Sequence, residues 1–172
     1  MFSLKVDVST LLNKVDKKLQ WGYDNLFCVD EIGFKGKITV LLAITNIEKR
    51  VIVSGQLNTI FLSQCSRCLE TYNHPVSEEI SEEFVPANIV PKEGEELSLE
   101  ELSIFPYEGE KIDLAEMLRQ YIILSRPDRL LCKESCEGLC LQCGQNLNVE
   151  RCQCENILAD PRWAALKSFT QP

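Results

Sequence analysis

The pattern of hydrophobic and polar positions between residues 33 and 85 predicts a β-sheet. Two runs, GFKGKITVLLAI and RVIVSGQLNTIFLSQC, are rich in Val, Ile, Thr and Phe, and glycines interrupt them. Alternate positions in the second run are apolar, which is typical of strands with one buried face. The segment YNHPVSEEISEEFVP predicts a further strand with Ile80, Glu82 and Phe84 on one side. We therefore expect an α+β fold built on an antiparallel β-sheet or partly open barrel over about residues 30–85.

Helical periodicity is clearest after residue 112, where one main helix is expected over about residues 112–124. Asp113 can cap this helix, and Glu116 occupies its third position. Pro127 ends the pattern because its ring cannot continue a helix. Apolar residues recur at helical spacing and supply one buried face: Leu114, Met117, Leu118, Tyr121 and Ile122.

Residues 86–111, between the sheet and the main helix, predict an acidic loop. Ser98 and Glu101 have the spacing of a capping box, which predicts one short helical turn inside it. We expect the loop to be mobile, because its composition cannot bury enough apolar area to offset the entropy cost of ordering. The residues that interrupt regular structure here are Pro86, Pro91, Gly94, Pro106 and Gly109.

The two ends of the chain show weaker patterns. Residues 1–30 predict no definite element, because their helically spaced apolar positions lie in a short, lysine-rich segment. At the other end, ADPRWAALKSF predicts a helix, since Asp160 can cap it and Pro161 suits its first turn. We expect two domains: an α+β domain over 1–125 that includes the acidic loop, and a cysteine-rich, zinc-ribbon-like segment over 126–172 that ends in this helix.

Length and composition are those of a globular protein. The chain has 172 residues, of which 45% are hydrophobic and 26% are charged. Its longest apolar run, ITVLLAI, is far shorter than the about 20 residues that a membrane-spanning helix needs, so no membrane partner is expected. The N-terminus lacks the basic and apolar regions of a signal peptide. We expect a reducing compartment, either the cytoplasm or, in an organelle, the plastid stroma.

The net charge of −8 is concentrated in one segment. Residues 78–116 hold thirteen Asp and Glu against Lys92 and Lys111, a local net charge of −11 that leaves +3 for the rest of the chain. This is not the overall basic charge of most nucleic-acid-binding domains. The segment predicts either a solvated loop or a surface that docks on a basic partner such as a ribosomal protein.

Six of the nine cysteines fall within residues 132–154. Cys140 and Cys143 have the spacing of a metal-binding knuckle, in which two thiolates face one ion across a tight turn. Cys152 and Cys154 are the nearest second pair, so these four residues predict a structural zinc site. The metal would supply the folding free energy that so short and polar a ribbon lacks.

A further Cys-x2-Cys pair, Cys65 and Cys68, lies at the end of a predicted strand. One arrangement joins this pair to Cys132 and Cys136 as the ligands of a second metal. In the other, the pair only flanks a turn and Arg67 lies exposed between the two cysteines. The sequence leaves both arrangements open.

Other cysteine chemistries fit less well. A disulfide framework is disfavoured by the odd number of cysteines and by a reducing compartment. Cys136, Cys140 and Cys143 have the spacing of a radical-SAM iron–sulfur site, but few residues follow them to build the large barrel around such a cluster.

The single histidine, His74, precedes a proline and does not open the His-x-Glu motif of a zinc deaminase. Without a phosphate-binding glycine loop or a Ser–His–Asp candidate, we expect no enzyme and no small-molecule substrate.

Three blocks of the chain, in this order, resemble the YceD family: GKITVLLAITNIEKRVIVSGQLNTIFLSQCSRCLETYNHPVSEEISEEF, then IDLAEMLRQYIIL, then CKESCEGLCLQCGQNLNVERCQC followed by DPRWAAL. They span roughly residues 33–166, and their most specific parts are CSRCL at 65–69 and GLCLQCGQNLN at 138–148. Members of this family are bacterial and plastid proteins associated with accumulation of large-subunit ribosomal RNA. The resemblance implies a non-enzymatic factor in ribosome biogenesis that binds ribosomal RNA or an assembling large subunit.

Contact with RNA would come from scattered cations, because a guanidinium held rigidly beside a metal knuckle is a good phosphate ligand. The alternative is a zinc-stabilised protein–protein adaptor whose acidic loop docks on a basic partner. A third hypothesis, a metal- or cluster-dependent enzyme, would be raised by a brown, air-sensitive protein. The candidate residues for contact with RNA or another partner are Arg67, Arg126, Arg129, Arg151 and Arg162.

Overall fold

The computed structural model describes residues 3–12, 17–48, 50–89, 104–154 and 162. In this part of the chain, no helix is both long enough and apolar enough to cross a membrane. In chain order the elements are β1 (Lys5–Asp7), α1 (Ser9–Leu12), β2 (Lys18–Val29), a 3-10 turn (Asp30–Ile32), β3 (Phe34–Ile47), β4 (Arg50–Gln64), β5 (Thr71–Pro86), β6 (Ile104–Tyr107), β7 (Lys111–Asp113) and α2 (Leu114–Leu124).

The chain divides into two compact units, and each is made from two separate stretches. The first unit consists of Met1–Leu62 and Asn73–Asp128, and the second consists of Ser63–Tyr72 and Arg129–Pro172. Both Cys-x2-Cys pairs therefore belong to the second unit. The domain boundary drawn from the sequence between residues 125 and 126 stays a prediction.

Within the residues that the structure describes, the main sheet has five strands in the order β2-β3-β4-β5-β6 and is open, with β2 and β6 at its edges. The predicted β-sheet is thus confirmed, and the barrel alternative is not what forms. Strands β2, β3 and β4 pair antiparallel, whereas β6 runs parallel to β5. A second sheet pairs β1 with β7, which matches Val6 with Ile112.

One hydrophobic core joins an inner face of the sheet to α2. Alternate residues of β3 and β4 are buried, which the sequence pattern had predicted for β4, and the helix contributes side chains at helical spacing. The buried strand residues include Ile38, Val40, Ile44, Val53 and Leu57, and the buried helix residues include Leu114, Met117, Leu118 and Ile122. Ile80 and Phe84 of β5 lie in this core, while Glu82 accepts a hydrogen bond from the Tyr121 hydroxyl at 2.7 Å.

The predicted main helix is confirmed, and Asp113 caps it. The Asp113 carboxylate accepts hydrogen bonds from the backbone N–H of Ala115 and of Leu4, both at 3.0 Å, and from the Ser3 hydroxyl at 2.8 Å. Burial acts to raise the pKa of Asp113, but these hydrogen bonds outweigh it and hold the pKa below 3.8. One carboxylate therefore both starts α2 and ties the N-terminal strand to it.

Replacing Asp113 with alanine should lower the free energy of unfolding by about 1–2 kcal/mol at neutral pH, the usual cost of losing a helix cap. Asp113→Asn keeps an acceptor oxygen and should lose less. Because the folded pKa is depressed, the stabilisation is present above the ordinary value of 3.8 and is lost as pH falls through the folded pKa. Urea unfolding followed by circular dichroism should therefore separate Asp113→Ala from wild type at neutral pH and bring them together in strong acid. Equal stability at neutral pH would contradict this role.

The predicted loop over 86–111 is wrong at its C-terminal end, because Ile104–Tyr107 forms β6. Phe105 stacks on Phe84 with 5.2 Å between ring centroids. Pro106 favoured a loop in the sequence, yet proline is tolerated in an edge strand because its missing N–H need not break a ladder hydrogen bond. Residues 90–103 of the predicted loop, including the predicted helical turn at 98–101, lie outside the described residues.

The N-terminal thirty residues form more structure than their pattern predicted. Strand β2 pairs with β3 along its whole length, from Lys18 opposite Thr45 to Val29 opposite Phe34. Only Phe27 and Val29 of this strand are fully buried. An edge strand with so few buried positions leaves only a weak period-2 signal. The helix predicted from Asp160 lies outside the described residues.

Candidate metal centres

The first centre begins at the tight turn that follows β4. The backbone N–H of Leu69 donates to the Cys65 carbonyl, and the N–H of Cys65 donates to the Glu70 carbonyl, both at 2.9 Å. Leu69 adopts the left-handed φ of 61° that closes this turn. The turn brings the sulfurs of Cys65 and Cys68 to one side of the chain, where they can face the same ion.

Four cysteine sulfurs converge at this first centre, and they lie within 4.8 Å of one another. A tetrahedral zinc site with bonds of about 2.3 Å separates its sulfurs by about 3.8 Å. The sulfur of Cys65 lies 3.7 Å from that of Cys136, and the sulfur of Cys68 lies 3.6 Å from that of Cys132. Three of the four cysteines are buried and Cys132 is half-buried. The donor set therefore fits a closed four-coordinate metal.

The electrostatics of the first centre also suit a cation. The backbone N–H groups of Cys68, Cys132 and Arg67 donate to the Cys65 sulfur and lower its pKa to about 6, the Cys68 donor being the strongest. Burial and the neighbouring thiols, Cys136 first among them, raise the pKa of Cys132 to about 12. Four thiolates this close repel one another, so some stay protonated until a divalent cation neutralises the group.

Arg67 is exposed, as the sequence predicted, but its guanidinium forms hydrogen bonds to backbone carbonyls. Its Nη1 donates to the carbonyl of Cys136 at 2.9 Å and to that of Glu134 at 3.4 Å, while its own carbonyl accepts from the Leu139 N–H at 3.2 Å. Gly138, with a φ of 78°, lies so close that an added Cβ would be 3.1 Å from the Arg67 carbonyl oxygen. Arg67 thus ties the Cys-x2-Cys turn to the segment that carries the other ligands.

The second centre is the knuckle that the sequence predicted, formed by Cys140, Cys143, Cys152 and Cys154. Its four sulfurs also lie within 4.8 Å of one another. Gly144, with a φ of 74°, donates its N–H to the Cys140 carbonyl at 2.9 Å and closes the turn. Cys143 and Cys154 are exposed, so this centre is more open to solvent than the first.

Backbone donors and neighbouring thiols shift the pKa values of the second centre as well. The N–H groups of Cys143 and Gln142 donate to the Cys140 sulfur and lower its pKa to about 6, and the Gln142 bond is 3.4 Å long. The Cys143 thiol, and to a smaller extent burial, raise the pKa of Cys154 to about 12. As in the first centre, one thiol has its pKa lowered to about 6 and another has its pKa raised to about 12.

The other predicted contact residues are exposed. Arg151 lies beside the second centre, where it lines a shallow hollow with Glu150 and three of the ligand cysteines. Whether these residues contact RNA stays a prediction. The remaining exposed candidates are Arg126, Arg129 and Arg162.

The sequence did not single out two asparagines that hydrogen-bond within or beside the first centre, although both lie in the specific block GLCLQCGQNLN. Asn148 Nδ2 donates to the Cys136 sulfur at 3.3 Å, and Asn146 Nδ2 donates to Glu70 Oε1 at 2.8 Å. Burial acts to raise the pKa of Cys136, but hydrogen bonds, led by that of Asn148, outweigh it and lower the pKa. Paired asparagines after a metal knuckle are the signal that could have identified them.

Comparison with curated proteins finds distant relatives. An uncharacterized protein of Mycobacterium leprae is 26% identical over 135 residues, which cover 78% of this chain and 60% of that protein. An uncharacterized protein of Mycobacterium tuberculosis strain H37Rv is 28% identical over 131 residues, which cover 76% of this chain and 61% of that protein. This chain thus spans about 60% of the length of these relatives. No solved structure matches it.

A relative in Arabidopsis thaliana carries the name Large ribosomal RNA subunit accumulation protein YCED homolog 1, chloroplastic. It is 26% identical over 146 residues, which cover 72% of this chain and 46% of that protein. Residues 53–170 match the family described as Large ribosomal RNA subunit accumulation protein YceD. This range holds both cysteine centres and most of the chain, and the chain therefore belongs to the YceD family.

Proposed function

We propose that this chain is a non-enzymatic factor for the accumulation of large-subunit ribosomal RNA, and that it binds ribosomal RNA or an assembling large subunit. The observation that carries the proposal is the family match over residues 53–170. The name of the Arabidopsis relative supports the same role. The factor acts in the cytoplasm, or in the plastid stroma where the family member is organellar.

Structural zinc in both centres is part of this proposal. Each centre offers four thiols and so completes a tetrahedron from protein ligands alone, whereas a catalytic zinc keeps one position for water or substrate. Four sulfur ligands in this arrangement suit zinc better than magnesium or calcium, which prefer oxygen. The metals would stabilise the fold of the cysteine-rich segments, which is a structural role.

RNA contact is proposed at the exposed arginines of the second unit. Arg151 is next to the ligand Cys152, so zinc bound by the Cys152 thiolate would fix the backbone here and hold Arg151 in place beside a phosphate. Arg129 is exposed in the segment that leads to Cys132. Arg67 is a poor test of RNA contact, since its guanidinium already bonds to the carbonyls of Glu134 and Cys136.

Depleting the protein should lower large-subunit ribosomal RNA relative to small-subunit RNA, and the tagged chain should sediment with large-subunit precursors.

Arg129→Ala combined with Arg151→Ala should keep the wild-type zinc content but weaken RNA binding and flatten its salt dependence, because each lost phosphate contact reduces counterion release. Arg50→Ala is a matched control, since it removes an exposed arginine of the first unit that pairs with Glu83. An unchanged subunit ratio after depletion would refute the assembly role. Co-sedimentation that needs ribosomal proteins but no RNA would replace RNA binding with the adaptor hypothesis.

A further inference from the structure

Two asparagines lie in the chain between the two ligand pairs of the second centre, yet their side chains reach the first. Asn148 Nδ2 donates to the Cys136 sulfur at 3.3 Å, and Asn146 Nδ2 donates to Glu70 Oε1 at 2.8 Å. Cys136 is a ligand of the first centre, and Glu70 lies two residues after another of its ligands, Cys68. The loop that one metal would close therefore supplies one hydrogen bond to a ligand of the other centre and one to a residue beside that centre's Cys-x2-Cys turn.

Both polar atoms of the Asn148 carboxamide form hydrogen bonds in this position. Its Oδ1 accepts from the Glu137 N–H at 3.0 Å, while Nδ2 donates both to Cys136 and to Asn146 Oδ1, the latter at 2.9 Å. The N–H of Asn148 also donates to Asn146 Oδ1 at 3.0 Å. Neither aspartate, which has no donor, nor alanine could replace this set of bonds.

The backbone between the centres is equally constrained. Only three residues separate Cys136 of the first centre from Cys140 of the second. Within them, the Leu139 N–H donates to the Arg67 carbonyl at 3.2 Å, and the Gly138 carbonyl accepts from the Leu147 N–H at 2.9 Å. The short backbone link between the two centres is therefore hydrogen-bonded to a segment of each.

We infer that the two centres bind metal cooperatively, and that Asn148 and Asn146 are the positioning residues that couple them. The inference rests on the proposed occupancy of both centres. Metal at the second centre closes the chain from Cys143 to Cys152 and so holds Asn148 in place to stabilise the thiolate of Cys136. Outer hydrogen bonds of this kind change metal affinity by about 10–100-fold when they are removed. By linkage, metal at the first centre must favour the second by the same factor.

Cadmium titration of the metal-free, reduced full chain tests this, with nuclear magnetic resonance of the bound cadmium as the readout. Cys143→Ser and Cys68→Ser assign one signal to each centre. At one equivalent of cadmium per wild-type chain, both signals should appear together at the positions they hold in the fully loaded protein. Filling of one centre to saturation before the second signal appears would overturn the coupling while leaving two metal sites intact. No cadmium binding at all would overturn the metal centres and the inference together.

Asn148→Ala should separate the two binding steps and lower the mean cadmium affinity, measured by chelator competition, by about tenfold or more. Gln145→Ala is the matched control, because it lies in the same loop and contributes only its backbone carbonyl to these bonds. If Asn148→Ala disorders the loop, Glu70→Ala removes the anchor of Asn146 from outside the loop and should also weaken the coupling. Cooperative loading retained in both Asn148→Ala and Glu70→Ala would overturn the role of the asparagines.

Discussion

Elemental analysis of the chain purified without added metal should find about two zinc ions per molecule, one for each four-cysteine centre. Cys143→Ser and Cys68→Ser should each lower the content to about one. Because structural zinc contributes on the order of 10–16 kcal/mol to the folding of small metal-binding modules, a strong chelator should unfold the second unit. Loss of amide-exchange protection over residues 129–154 would report this.

The control for this experiment is Cys28→Ser, because Cys28 is exposed in β2 and belongs to neither centre. This variant should keep both zinc ions and the exchange pattern of the wild type. Zinc-free protein with a fully protected 129–154 segment would contradict structural metal at both centres. If the wild type contains one zinc and Cys68→Ser also contains one, the metal is restricted to the second centre.

Gly55→Ala should destabilise the first unit by about 3 kcal/mol or more, beyond the usual range for overpacking. Gly55 lies opposite Leu42 in the β3–β4 pair, and an added Cβ would clash with the Leu41 carbonyl oxygen and lie 2.9 Å from the Leu42 Cα. Both neighbours are backbone atoms, so relief requires the two strands to separate. Urea unfolding followed by circular dichroism measures the loss.

The matched control for this substitution is Gly22→Ala, in the neighbouring strand β2. There the added Cβ would meet the flexible end of Leu41 at 3.4 Å, an ordinary van der Waals distance. This variant should change the free energy of unfolding by less than about 1 kcal/mol. Similar stability for Gly55→Ala and the wild type would show that β3 and β4 separate easily at this point.

The elements that the sequence predicted well are those whose signals are local. Runs rich in Val, Ile, Thr and Phe identified β3 and β4, the latter with alternate apolar positions, and a further run with Ile80 and Phe84 on one side identified β5. The cap at Asp113 placed the start of α2. The knuckle at Cys140 and Cys143 was equally readable, because its spacing and the following glycine together specify one tight turn. In each case the residues that form the structure are close neighbours in the chain.

The edge strands were harder to predict because they are stabilised mainly by pairing with another strand. β2 buries few side chains and is held by pairing with β3. β6 carries Pro106 and lies in a segment whose acidic composition favours a loop, but pairing with β5 and stacking of Phe105 on Phe84 order it. Such contacts depend on the neighbouring strand in the sheet, which the periodicity of the edge strand itself does not encode.

Only the tertiary structure shows which four cysteines could share the first centre. The sequence left open whether Cys65 and Cys68 merely flank a turn, since their partners Cys136 and Cys132 are 71 and 64 residues away. Arg67 likewise looked like an exposed cation until its bonds to distant carbonyls were visible. Residue spacing determines which thiols can share one turn, whereas a four-sulfur centre built from two distant segments depends on the path of the whole chain between them.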